Sequence, residues 1–205
     1  MSPSRRERLG VLGGTFDPPH VGHVAAAVTC REQLALDRVL FVVANDPWQK
    51  SPWREVSPAA DRLAMVEAAV EGVKGAEVSR IELDRGGPSY TVETVEALAG
   101  AATEAGGDPP EQFLIVGADV LATLPSWHRP DDLARLVTLV VLARPGAPPP
   151  AALPGWRLEV AAGIEVDVSS SEVRERVAAG APIDGLVPGA VERCIRARAL
   201  YAVPR

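Results

Sequence analysis

The stretch GGTFDPPHVGH, residues 13–23, follows the apolar LGVL of residues 9–12 and packs three glycines, two prolines and two of the chain's three histidines into eleven positions. A strand that ends in glycine and proline, then restarts as the apolar VGHVAAAV (21–28), has the punctuation of a strand-to-helix turn. Such a turn aims backbone N–H groups and a helix N-terminus at one point in space, which favours an anion there. The stretch therefore predicts a phosphate site at the end of a strand.

Working outward, hydrophobic periodicity and its breakers give strands alternating with helices. Strand 8–13 and a helix over about 21–35 form the first unit, followed by the β-branched run RVLFVVA (38–44) and a long loop, 45–56, carrying two tryptophans and two prolines. Ser57 and Pro58 open a helix over about 58–71, whose apolar side carries Ala64, Val66, Ala69 and Val70. AEVSRIEL (76–83) reads as a strand, DRGGPSY as a turn, and Thr91 as the cap of the next helix. EQFLIVG (111–117) and VTLVVLA (137–143) read as buried strands, with short helices near 119–124 and 130–136 between them. A proline-rich surface connector, 145–155, leads to the last two strands, WRLEV (156–160) and IEVDV (164–168). SSSEVRERVAAG is a helix ended by Gly180, and VPGAVERCIRARALY is the terminal helix. There is no internal repeat. The alternation predicts an α/β, Rossmann-like fold, with a mostly parallel central sheet, helices on both faces and ligands beyond the C-terminal ends of the strands.

At 205 residues the chain is long enough for one core, and the expectation is a single domain over 1–205 with a helical C-terminal part from about 169. Hydrophobic residues at 47% and charged residues at 23% are ordinary for a globular protein. A formal charge of −6 argues against nucleic acid as a partner while leaving room for a local anion pocket. No apolar run approaches the roughly 20 residues of a membrane helix, and the N-terminus does not read as a signal peptide. Cys30 and Cys194 match no metal or redox spacing, so the expectation is two reduced thiols in the cytoplasm and no metal site built by the protein. Self-association stays open.

His20 and His23 are spaced i, i+3, one turn apart at the start of a helix, where both can face one ligand. A single histidine is more often a packed or surface residue, but the strand–glycine–helix setting favours a functional pair. Imidazoles donate hydrogen bonds to phosphate oxygens and, when protonated, offset charge developing in a transition state. Neither the G-x-x-x-x-G-K-[ST] phosphate loop nor G-x-G-x-x-G is present. A second phosphate-like helix start is DVSSSEVRERV (167–177), where Arg174 lies one turn inside and its fork can reach the same phosphates. Alone, it would read as a serine cap and a solvated arginine.

Together, GGTFDPPHVGH and VSSSEVR resemble the paired motifs of the T/HxGH nucleotidyltransferase superfamily, and within it the chain is similar to the bacterial nicotinate-nucleotide adenylyltransferases. SPAADRLAMVEAA, RGGPSYTVETVEAL, IVGADVLATLPSWH and LVPGAVERCIRARALY extend the resemblance over nearly the whole chain. The resemblance implies adenylyl transfer from ATP to nicotinate mononucleotide, giving deamido-NAD and pyrophosphate, with Mg2+ arriving on the ATP. It implies that His20, His23 and Arg174 are catalytic, that Gly14, Thr15, Phe16, Ser170 and Ser171 hold phosphates, and that Gly117 and Asp119 lie against the adenosine. Tyr90, Thr91 and Trp127 would form the pyridine pocket, and Lys50 would meet the mononucleotide phosphate. Trp48 and Gln49 depart from the family pattern at the acceptor loop, and Ser171 stands where threonine is usual. Nicotinamide mononucleotide, phosphopantetheine or another phosphorylated acceptor is therefore an alternative, as is a nucleotide sensor without turnover. Trp127 as a core indole, Tyr90 and Thr91 as a turn and cap, and Lys50 and Arg54 as solvated charges are the structural readings of the same residues.

Overall fold

The computed structural model describes residues 5–47, 56–143, 150–163 and 166–202. Its strands are β1 (Arg8–Gly14), β2 (Arg38–Val43), β3 (Ala76–Ser79), β4 (Glu111–Gly117), β5 (Val137–Ala143) and β6 (Arg157–Ala162). They form one sheet in the order β3-β2-β1-β4-β5-β6, and every pairing among them is parallel. The helices are α1 (Val21–Gln33), α2 (Ala59–Val70), α3 (Ile81–Arg85), α4 (Thr91–Glu104), α5 (Pro130–Leu136), α6 (Ser170–Ala178) and α7 (Gly189–Ala197).

Parallel strands covered on both faces need apolar side chains at nearly every position, and the central strands supply them. On one face Leu12, Phe41, Val43, Phe113, Ile115 and Val140 pack with Ala27 and Cys30 of α1 and Leu63, Val66 and Val70 of α2. On the other, Val11, Leu40, Val42, Leu114, Val116, Leu139 and Val141 pack with Val92 and Val95 of α4 and Leu133 of α5. Each fully buried Val, Leu, Ile or Phe contributes roughly 1.5–3 kcal/mol of transfer free energy, so alternation fixes which face each strand residue must take. A third cluster joins Met65 and Ala69 of α2 to Val173 of α6 and Val191 and Ile195 of α7.

Chain order runs outward from β1 in both directions, through β2 to β3 and through β4 to β6. The crevice between the ends of β1 and β4, at Gly14 and Gly117, is therefore the topological switch point where such sheets bind ligands.

Several local expectations are corrected. The 76–83 segment is a strand only to Ser79, because the chain turns at Arg80 into α3; Glu82 is thereby buried and accepts the Thr94 hydroxyl at 2.5 Å. Thr91 is the first residue of α4 rather than its cap; Tyr90 holds the cap position with no side-chain hydrogen bond. The helix near 119–124 is two 3-10 turns, Ala118–Val120 and Leu124–Ser126. Residues 166–168 lie outside any strand and run straight into Ser169, which caps α6 by accepting from Glu172 N–H at 3.1 Å.

Candidate active site

After β1 the chain must turn sharply to enter α1. Phe16 takes a left-handed backbone, φ 51°, and its ring folds back over Gly14, where an added Cβ would lie 2.9 Å from it. Glycine is required there for that contact. Phe16 also meets the His23 ring edge-on, with centroids 5.0 Å apart. His20 occupies the N-cap of α1 in an extended conformation, and its N–H donates to His23 Nδ1 at 3.1 Å. Accepting at Nδ1 assigns the neutral His23 ring its proton at Nε2, which makes that nitrogen a donor. The two imidazoles face each other with centroids 3.7 Å apart. Burial pulls His20 down to about 4, and its Nδ1 is enclosed with no hydrogen-bond partner among the described residues.

The late segment docks directly on this turn. Ser170 Oγ donates to the Pro18 carbonyl at 2.8 Å, Arg174 Nη1 donates to the Asp17 carbonyl at 2.8 Å, and Arg174 Nη2 donates to Ser171 Oγ at 3.0 Å. The N-termini of α1 and α6 are thus brought together by side chains separated from the turn by more than 150 residues. Val21 N–H adds a bond to the Leu186 carbonyl at 3.0 Å.

A cavity of about 180 Å³ opens beside them, lined by Gly22, Ala26, Gly117, Ala118, Asp119, Leu142, Ala143, Gly163 and Val166. Its walls are mostly glycine and alanine, which leaves a flat slot beside the α1 N-terminus. Gly22 belongs to both features: a Cβ there would come within 3.0 Å of His20 Nδ1.

Tyr90 and Trp127 form a second group with the cluster under α4 and α5. Tyr90 stacks on His128, centroids 4.4 Å apart and planes 29° from parallel, and Trp127 Nε1 donates to Thr123 Oγ1 at 3.2 Å. The indole is thus partly buried against the core with its N–H engaged. Lys50 lies outside the described residues, as do Trp48, Gln49 and Arg54.

The residue that ties these groups together, Arg62, was missed in the sequence. Arg62 is 1% exposed. Its guanidinium donates to the carbonyls of Ser57 (2.8 Å), Thr15 (2.9 Å), Ala44 (2.7 Å) and Asn45 (3.2 Å). Asn45 in turn receives no side-chain slack: its N–H donates to Ser89 Oγ at 2.9 Å, and its Nδ2 donates to the Gly87 carbonyl at 2.9 Å. The ends of β1 and β2 and the turn carrying Tyr90 are therefore one hydrogen-bonded rim. A positively charged residue inside an otherwise apolar helix face was the available signal. Asp17 and Tyr201 were likewise missed; the Tyr201 hydroxyl donates to Asp17 Oδ1 at 2.7 Å.

This arrangement, a parallel sheet with two helix N-termini, two imidazoles and a guanidinium at its switch point, was compared with known proteins. Residues 11–176 match the cytidylyltransferase-like family. A "Probable nicotinate-nucleotide adenylyltransferase" of Acidothermus cellulolyticus is 40% identical over 199 residues, covering 96% of this chain and 95% of the relative. A protein of the same name from Gemmatimonas aurantiaca is 43% identical over 201 residues, covering 95% and 92%. The solved Plasmodium falciparum nicotinic acid mononucleotide adenylyltransferase complexed with NaAD superposes with a TM-score of 0.73 at 14% identity, covering 95% of this chain and 97% of that one. The fold is shared with that structure, and the match to the bacterial relatives spans nearly the whole chain. The chain belongs to the cytidylyltransferase-like nucleotidyltransferases and, within them, to the nicotinate-nucleotide adenylyltransferase family.

Proposed function

We propose that this chain joins ATP and nicotinate mononucleotide into deamido-NAD, with release of pyrophosphate. The observation that carries the site reading is the direct docking of α6 on the histidine turn, through Arg174 to Asp17 and Ser170 to Pro18. One polyphosphate can then be held from two helix N-termini at once.

In the reaction, an oxygen of the mononucleotide 5′-phosphate forms a bond to the α-phosphorus of ATP. The bond from that phosphorus to the oxygen bridging to the β-phosphate breaks, and pyrophosphate leaves with the electron pair. The nucleophile is already anionic at neutral pH, so the protein's work is alignment and charge stabilisation on an in-line path. His23 Nε2–H, the N–H groups opening α1 and the Arg174 fork act on the triphosphate. Arg174 Nη1 holds the turn through the Asp17 carbonyl, and Nη2 meets Ser171 Oγ within α6. Gly14, Thr15 and Phe16 shape the turn, while Ser170 and Ser171 extend the cradle from α6. His20, which burial holds neutral at physiological pH in the ligand-free protein, contributes a hydrogen bond beside the Arg174 charge.

Gly117 and Asp119, in the slot beside Gly22, receive the adenosine. Tyr90, Thr91 and Trp127 bind the pyridine nucleotide, and Lys50 meets its phosphate. Among the described residues no three His, Cys, Asp or Glu side chains gather into a metal-holding group. Mg2+ would arrive on the ATP, keeping much of its water and offsetting phosphate charge. Residues 1–205 would act as one catalytic domain in the cytoplasm, where thiols such as Cys30 and Cys194 stay reduced.

The test is pyrophosphate release with ATP and a panel of acceptors, nicotinate and nicotinamide mononucleotides being compared directly. Turnover with the nicotinate form well above the nicotinamide form is expected. His23→Ala should lower kcat more than it raises the KM for ATP, as expected of an interaction that strengthens in the transition state. Wild-type turnover in that variant removes His23 from the mechanism.

A further inference from the structure

We propose that Tyr201 and Asp17 are a positioning pair for the adenylyl transfer, through which the C-terminal end of the chain sets the pose of the 16–20 turn and of Arg174. Asp17 is 2% exposed and stands between Phe16 and Pro18. Both its ends are held. Its carboxylate accepts the Tyr201 hydroxyl at Oδ1, 2.7 Å, and the Ser57 N–H at Oδ2, 3.4 Å, while its carbonyl accepts from Arg174 Nη1 at 2.8 Å. Side chain and carbonyl share one backbone unit, so a change in how the carboxylate is held is passed to the carbonyl that seats Arg174. Arg174 would then lose its seat or follow it.

The Tyr201 ring packs on the third hydrophobic cluster, and Tyr201→Phe leaves that ring in place. Val191, Ile195 and Val187 already bury the α7 side of the third cluster against Met65 and Val173, and the Arg198–Asp61 ion pair at 2.5 Å fixes the helix end to α2. Beyond that anchor the backbone at Tyr201 enters the left-handed region, φ 62°, which turns the phenol inward past Met65 Sδ at 3.7 Å. A non-glycine residue in that conformation is uncommon and marks a segment held by its surroundings. Its polar end is directed at Asp17.

The inference rests on the adenylyl-transfer reading of Arg174 and the histidines. Tyr201→Phe removes the hydroxyl and keeps the ring. With ATP and nicotinate mononucleotide as substrates, kcat is expected to fall about tenfold while both KM values stay within about threefold, the pattern of misalignment rather than lost binding. Thermal unfolding should shift by only a few degrees. Asp17→Ala should lower kcat at least as far, and adding Tyr201→Phe to it should change nothing more, because the pair acts as a unit. Where Asp17→Ala fails to fold, Tyr201→Phe alone decides. Wild-type kcat in Tyr201→Phe, loss of thermal stability with kcat intact, or full additivity of the two substitutions overturns the pair. His23→Ala, run alongside, separates the two ideas: an impaired His23→Ala with an unimpaired Tyr201→Phe sinks only the pair, and wild-type turnover in His23→Ala sinks the reading beneath it.

Discussion

His20 is held neutral by its surroundings, and that has a thermodynamic sign. Burial lowers its imidazole from 6.5 to about 4 in the folded protein. Between those values the unfolded chain binds more protons than the folded one, so this group makes stability rise with pH across that window. Its contribution is complete above pH 6.5 and is lost as pH falls toward 4. The ceiling is about 3 kcal/mol, and partial exposure of the ring reduces it. His20→Gln should flatten the urea-derived stability profile between pH 7 and 4 relative to wild type; parallel profiles would rule out the enclosed imidazole as the cause. Gly22 shows the same closeness in another form, since even a methyl group there would press on His20 Nδ1 at 3.0 Å.

Strands and helices take their positions at the site from Arg62, which carries the junction of β1, β2 and α2. Replacing it with leucine keeps the apolar face of α2 continuous but leaves the Thr15 and Ala44 carbonyls buried without their donors. At about 1–3 kcal/mol for each orphaned group, Arg62→Leu should lose about 3 kcal/mol or more in urea unfolding. A loss below 1 kcal/mol would show that water or a neighbour replaces the guanidinium. Elements whose pattern is local were legible beforehand: β4, β5 and α5 match their sequence-read spans because an unbroken apolar run flanked by breakers has one arrangement in a parallel sheet. The end of β3 was not legible, because the bend at Arg80 goes with a contact between Glu82 and the Thr94 hydroxyl across the α3–α4 turn, which no local pattern in 76–83 announces. The histidine turn and the α6 cap were readable from glycine, proline and serine chemistry. Asp17 and Tyr201 were not, since they pair across 184 residues of chain, and Arg62 was signalled only by a charge set in the apolar face of α2, which does not say what it holds.

Across the whole molecule, the sheet supplies a rigid floor and the last two helices close over one end of it. α6 and α7 share the cluster that includes Met65, Ala69, Val173, Val191 and Ile195, and α6 also clasps the turn before α1. Neither helix is long: each has 9 residues, too few to be stable alone. Their stability must come from shared burial, so loosening one exposes the faces that hold the other. The two helices and the first turn of α1 should therefore open as one cooperative unit in native-state hydrogen exchange, with a common opening free energy below that of the β1, β4 and β5 amides. Ile195, 1% exposed, offers the lever. Ile195→Ala should lower the opening free energy of α6 amides as much as those of α7, by about 2–5 kcal/mol, while the central strands shift only if the unit opens with global unfolding. ATP held as proposed across the two helix starts would bind only the closed form and should raise protection in all three segments together, by RT ln(1 + [L]/Kd), about 2.7 kcal/mol at a hundredfold excess over Kd. If α7 exchanges independently of α6, or if ATP protects the α1 turn and leaves α6 unchanged, the late helix is packed beside the site without sharing the ligand, and the cradle reduces to the histidine turn alone.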